Sequence, residues 1–422
     1  MKRRHSHLDR AKERGVVITL VAVFMLFVVG AMAVLAIDVV TFYTARSEAQ
    51  LAADGAALAG ARVLANSGMT SSTDATLATS AQTLCQTIAK QVALSNSVGG
   101  VTPTVVTNAC NIASQYNPTV TVKVQASQPT FFARIWGTTQ VTVSATATAE
   151  AYNPSAASTI PGPAVATTCV KPLLLANTPD PSGTSGTNEV FDPVSGAIQP
   201  TGLLGDTVRL GTGGNWRYAA GDTFLNVPPS FPPPVASSVT CNGSAGFNTF
   251  QLAVAGCVQT PITCNSTTIH YNSNAAYMGH YGTRDRNDAS EAANCLTNTN
   301  AGGQGDSVAP TTNPPTAPFE FVAGDNNPLV ETGTLNPTSD IFVSDSLVTL
   351  PVYAGGYPPA TNPVTIVGFV QLFLNPAGSA APFGGPIQAT VINLVGCGTS
   401  ATGPPFVIGN GPSAVPVRLI TQ

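Results

Sequence analysis

The sequence predicts an α+β protein: an N-terminal membrane-crossing helix continuing as a long helix packed on a small antiparallel sheet, followed by a mainly β, sandwich-like domain. Three observations predict it. A 23-residue uncharged run, 15–37, stands close behind a cluster of basic residues. A proline-free, alanine-rich stretch comes next. Beyond residue 150 lie 31 of the 34 prolines, among short apolar runs separated by Gly, Pro and Asn, the punctuation of turn-rich β structure.

Charge limits the choice of partners. The chain of 422 residues carries 17 basic and 21 acidic residues, and only 9% of it is charged. Lys2, Arg3, Arg4, Arg10, Lys12 and Arg14 supply six of the 17 basic residues, so the rest is acidic, with 11 basic against 19 acidic. A basic tip (1–14) on an acidic body is an address rather than a polyanion-binding surface, and no nucleic-acid partner is expected.

The run with ends at Gly15 and Ile37 would form about 35 Å of helix, enough to cross a hydrocarbon core of about 30 Å with some tilt. The basic cluster before it, against Arg46 alone shortly after it, orients the N-terminus toward the cytoplasm. A cleaved signal peptide is the rival, but its apolar region is about 7–15 residues long. Ala31-Met32-Ala33, a string similar to a cleavage site, falls inside the run. A retained anchor in the lipid bilayer is therefore expected.

Helix-forming sequence continues from 38 to about 66, with nine alanines between 45 and 65. Phe42, Ala45, Ala49, Ala52, Ala56, Ala59 and Val63 recur at alternating spacings of 3 and 4. That makes a seam of small side chains along one helical face, which lets another backbone approach. Ala49, Ala52, Ala56 and Ala59 are candidates for packing either on a partner helix or on the protein's own sheet. A second amphipathic helix is expected over 75–95, through Leu77, Leu84, Cys85, Ile88 and Val92. Val120, Val122 and Val124 alternate with polar residues, as do Val141, Val143, Ala145, Ala147 and Ala149, so each strand should bury one face.

These residues carry a resemblance. Glu13-Arg14-Gly15-Val16-Val17, the apolar stretch ending Leu35-Ala36-Ile37-Asp38-Val39, then Tyr43-Thr44-Ala45-Arg46 and the run from Gln50 through Ala61 resemble the N-terminal region of TadG-like Flp pilus-assembly proteins of the tight-adherence family. Pro129-Thr130-Phe131-Phe132 followed by Gly137 resembles a segment that precedes the last strand in TadG-like and TadE-like proteins. The resemblance implies a pilin-like unit over 38–151 in a non-enzymatic, membrane-anchored bacterial protein. Its implied partners are other pilus-assembly proteins or pilin-like helices. It further implies a single-pass location in the inner (cell) membrane, with the bulk of the chain periplasmic or extracellular. Three departures are visible. Gly55 stands where the family usually has another small residue. Leu20 stands where prepilin cleavage substrates resemble one another in carrying Glu, five residues after the glycine. Neither Asp288-Ala289-Ser290 nor Ser344-Asp345-Ser346 completes the metal motif of larger relatives.

A Pro/Ser/Ala-rich linker is expected over 152–168 and a mainly β domain over 169–422. Candidate strands lie at 170–175, 207–210, 348–352, 363–375, 389–395 and 415–420. The run 364–374 is apolar on both faces, as in a central strand. Exposed loops are expected at 228–234 and 298–318. Eight cysteines, Cys85, Cys110, Cys169, Cys241, Cys257, Cys264, Cys295 and Cys397, all lie beyond the apolar run. An even number beyond a membrane favours disulfides over zinc, since no Cys-x-x-Cys pair exists. Cys85 is expected to pair with Cys110, and the other six among themselves. No catalytic, cofactor-binding or metal motif emerges: Asn242-Gly243-Ser244-Ala245-Gly246 misses the first glycine of a nucleophile elbow, and Asp285-Arg286-Asn287-Asp288 lacks the glycine of a calcium loop. No cofactor or small-molecule substrate is expected. The alternative to pilus assembly is a surface adhesin whose β domain binds a surface or ligand.

Overall fold

Ala, Leu and Val dominate the chain from 15 to 66, and no proline or capping glycine interrupts it, so the helix does not stop at the end of the apolar run. Helix α1 spans Asp9–Asn66, 58 residues. It ends where Ser67 donates its amide to Val63 O and its hydroxyl to Leu64 O, and Gly68 follows at φ +82°, a conformation that would strain a side chain. The structure is a computed structural model. It describes residues 9–72, 74–114, 116–156, 165–179, 189–199, 203–210, 216, 218–220, 247, 249–256, 261–270, 284–299, 303–309, 317–381, 386–397, 407–409 and 413–421.

A one-turn 3-10 segment, Met69–Ser71, leads to α2, Ala75–Ser95. Asp74 caps α2 by accepting the Thr76 amide at 2.8 Å. Three antiparallel strands come next: β1 (Thr104–Asn111), β2 (Thr119–Pro129) and β3 (Gln140–Ala151). Val120, Val122, Val124 and Ala126 from β2, with Val143, Ala145, Ala147 and Ala149 from β3, form the buried face against α1 and α2. This is the alternation the sequence shows. Gly60 of α1 is required by close approach: a Cβ there would meet Val120 Cγ1 at 2.9 Å and Cys85 Sγ at 3.2 Å. Cys85 of α2 is bonded to Cys110 of β1, with Cα atoms 6.4 Å apart and a separation of 25 residues. Such a loop constrains the unfolded chain by about 3 kcal/mol.

The rest of the chain builds strands β4 (Val165–Thr167), β5 (Leu173–Ala176), β6 (Thr207–Leu210) and β7 (Tyr218–Ala220), then helix α3 (Thr249–Ala255) and β8 (Ile262–Thr263). Helix α4 (Arg284–Leu296), β9 (Ser307–Ala309), β10 (Glu320–Val322), the single turn α5 (Pro328–Glu331) and β11 (Asp340–Ile341) come next. Strands β12 (Leu347–Tyr353), β13 (Ile366–Leu374), β14 (Ile387–Gly396), β15 (Val407–Gly409) and β16 (Val417–Thr421) complete it. The central sheet has the order β6-β14-β13-β12-β5-β7, antiparallel except for β12 with β5.

Every residue of β12 and β13 is buried because both faces of this sheet are covered. Leu350, Val370, Leu372 and Val391 pack on one side with Phe250 and Val254 of α3 and Ala289, Ala292 and Ala293 of α4. On the other side Tyr353, Ile366, Phe369 and Val395 share a core with the small sheet β15-β4-β8, while Leu347, Phe373 and Ile392 share one with β11-β10-β9. The C-terminal part is therefore sheet-rich, layered with two small sheets on one face and two helices on the other. The sequence does not announce those helices. Ala289, Ala292, Ala293 and Leu296 do repeat at helical spacing, but Arg284, Asp285, Arg286 and Asp288 hide the stripe in a polar run.

Two boundaries differ from expectation. Residues 165–167 of the expected linker form β4, fully buried, and 157–164 lie outside the described residues. The last strand, β16, leaves the C-terminal part and pairs antiparallel with β3, extending the first sheet to β1-β2-β3-β16. Hydrogen-bonded strands commit backbone groups wherever a free edge exists, whatever the position in the chain, and β3 offered such an edge. Of the expected loops, 228–234 lies outside the described residues, and 298–318 includes β9.

Candidate functional site

Helix α1 changes character along its length. Between Val16 and Ile37 nearly all of its large apolar side chains are exposed, Leu26 to 75% and Phe27 to 74%. From Ala45 to Ala65 the seam side is buried almost without remainder. One unbroken helix thus carries an apolar segment long enough to cross a membrane and a segment that is the core of a folded domain.

Asp38 marks the change. Its carboxylate is 3% exposed and accepts three backbone amides of the β2–β3 connection: Phe131 N at 2.7 Å on Oδ1, and Phe132 N at 2.7 Å and Ala133 N at 3.1 Å on Oδ2. These amides enter a 3-10 turn, Ala133–Trp136, so the anion meets the donor-rich end of the turn. A carboxylate at the foot of an apolar helix would otherwise be costly to remove from water. Farther along, Glu48 accepts the Gly99 amide at 2.6 Å, and Gln50 bonds Asp54 at 2.7 Å.

Ala49, Ala52 and Ala56 are fully buried in one core with Val120, Val122, Ala145 and Ala147; Ala59 is half-buried at its border. The small side chains let the helix lie close on the chain's own sheet. Arg62 is half-buried, and burial lowers its pKa.

The two parts of the molecule meet through a buried polar cluster. Asn393 of β14 donates to Ala65 O at 2.5 Å and to Gln371 Oε1 at 2.6 Å. It accepts from Thr70 and Ser71 hydroxyls, each at 3.3 Å. Asn153 donates to Thr70 O and Leu394 O, and Asn66 donates to Phe342 O. The end of α1 is thereby fixed on the middle of the large sheet. β16 adds a second attachment. Its Arg418–Glu150 ion pair, 2.6 Å but half exposed, contributes no more than about 1 kcal/mol beside the ladder itself.

Cysteines lock the outer part. Cys264 is bonded to Cys397, and Cys169 and Cys295 are disulfide-bonded too; Cys241 and Cys257 lie outside the described residues. No described cysteine is free. Among the described residues no group of His, Cys, Asp and Glu is placed to hold a metal ion. Asp285 and Asp288 lie on α4, not in a loop.

One buried charge stands apart. Lys171 is 7% exposed and donates Nζ to Gly256 O at 2.5 Å. Burial lowers its pKa to about 8, against the opposing pull of Asp345. Folding therefore favours the neutral amine. Between pH 8 and the ordinary 10.5 the unfolded chain binds the extra proton, so stability should rise with pH across that window. Urea unfolding from pH 7 to 11 should show this rise in the native chain. A Lys171→Met chain with the same pH slope would remove Lys171 as its source.

Comparison with known proteins agrees with this N-terminal architecture. Residues 15–63 match the family model described as Flp pilus-assembly TadE/G-like. The N-terminal segment is similar to TadE/G-like Flp pilus-assembly domains. Among curated proteins and among solved structures, nothing matches the chain. The Tad domain covers the exposed apolar half of α1, Asp38 and nearly all of the buried seam. It ends at Val63, three residues before α1 does and immediately before the polar cluster that binds the large sheet.

Proposed function

We propose that this chain is a non-enzymatic, single-pass component of Flp pilus assembly in the bacterial cell membrane. Its N-terminus faces the cytoplasm, and it presents its sheet-rich body in the periplasm or at the cell surface. The observation that carries this reading is the abrupt change along α1, from exposed apolar residues through Ile37 to the buried domain core from Ala45. The basic residues before 15 and the disulfides beyond 37 favour the same orientation. Other pilus-assembly proteins or pilin-like helices are the partners this role requires. The buried polar cluster suits a body that must transmit force or position to the membrane, because it replaces a swinging linker with a fixed joint.

Alkaline phosphatase fused after residue 160 should be active in intact cells, and the full-length chain should leave the membrane only with detergent. Active cytoplasmic reporter at the same fusion point, or a soluble mature form beginning after residue 37, would contradict the reading. Deletion of the gene should abolish pilus assembly without loss of any enzymatic step.

A further inference from the structure

The connection between β2 and β3 carries two large exposed apolar side chains beside the end of the membrane run. Phe131 is 60% exposed and Ile135 74%, and exposed Arg134 stands between them. None of the described residues covers them, although Phe132 and Ala133 on the same turn are half-buried. Their position is fixed rather than free. The Asp38 carboxylate holds the amides of Phe131, Phe132 and Ala133, and Asp38 is the first residue after the apolar run 15–37. β3 then runs away from this point along α1, meeting Gln50 through Thr146 O at 3.4 Å. The 131–137 turn is therefore the membrane-proximal tip of the sheet. On α1 itself, exposed Val39, Val40 and Tyr43 continue the apolar surface past Asp38.

We infer that this tip is a second membrane contact, in which Phe131 and Ile135 enter the headgroup–acyl boundary of the outer leaflet while Arg134 meets lipid phosphate. The inference rests on the reading that 15–37 spans the bilayer. Continuity carries it. Three hydrogen bonds tie the apolar tip to the residue at which the spanning helix leaves the hydrocarbon. Apolar and aromatic side chains beside an arginine are also the composition of interfacial anchors. One spanning helix alone leaves its domain free to tilt. A second contact beside the helix would set the angle at which the sheet-rich body stands on the membrane.

The test uses the full-length chain in vesicles of phosphatidylethanolamine and phosphatidylglycerol, with photoreactive p-benzoylphenylalanine placed singly at Phe131, Ile135, Val29 or Val194. Val29 lies within the spanning run, and Val194, 88% exposed, lies in the sheet-rich body. Phospholipid adducts found by mass spectrometry should be several-fold more abundant at Phe131 and Ile135 than at Val194, approaching Val29. Adducts at Val29 with only the Val194 level at both tip positions would overturn the tip contact and leave the anchor reading intact. Loss of adducts at Val29 would overturn the anchor and the inference together. Repeated in cells, adducts from Ile135 to a protein in place of lipid would reject the membrane as the occupant of this surface.

Discussion

Replacing Asn393 by alanine should destabilise the joint between the Tad domain and the large sheet by about 4 kcal/mol. The side chain is fully buried and joins four partners: Ala65 O, Gln371 Oε1, and the hydroxyls of Thr70 and Ser71. Truncation strips the helix-end carbonyl of Ala65 of its side-chain partner in a buried place, at about 1–3 kcal/mol, and removes the bonds to Gln371, Thr70 and Ser71, each worth about 0.5–1.5 kcal/mol. Limited proteolysis of the detergent-solubilised chain should reveal cleavage between 66 and 75, absent from the native protein, together with a lower unfolding midpoint. Native-like resistance in Asn393→Ala would mean the polar cluster is incidental and the two parts are held by apolar contact alone.

Ala52→Leu and Ala56→Leu should each cost about 3 kcal/mol, at the upper end for overpacking of a filled core. Both side chains are wholly buried between α1 and the β2–β3 sheet, and the added branch has no exposed direction to take. The expected consequence is a drop in protein abundance and midpoint, with membrane insertion retained because the apolar run is untouched. Ser47→Leu, on the exposed side of the same helix, should leave abundance unchanged. Unchanged abundance with selective loss of pilus assembly would instead mean that the seam opens to receive a partner helix.

Disulfides and strand faces were legible in the sequence to different depths. Cys85 and Cys110 pair as expected because they are the two cysteines of one sequence-local unit. Cys264–Cys397 spans 133 residues, and only the finished fold brings β8 and β14 to one core. The faces of β2, β3 and β13 came from periodicity alone, since a half-buried strand alternates and a central one does not. Short strands such as β8 to β11 have two or three residues each and no period to read.

The sequence by itself determined the apolar run long enough to cross a membrane, the continuation of its helix, the succession of helix and strands after it, and the sheet-rich character of the C-terminal part. Each depends on local composition or repeat, so neighbouring residues carry the information. Tertiary structure decided the rest. It showed that Asp38 is a clamp on the β2–β3 turn, 93 residues away, and that Asn393 bonds the end of α1, 328 residues away. It also gave the final strand to the first sheet, across a boundary that composition had drawn at 152–168. Proline content reports turns, but it cannot report which free sheet edge a distant strand will reach. That choice belongs to hydrogen-bonding groups that must find partners once the chain is compact.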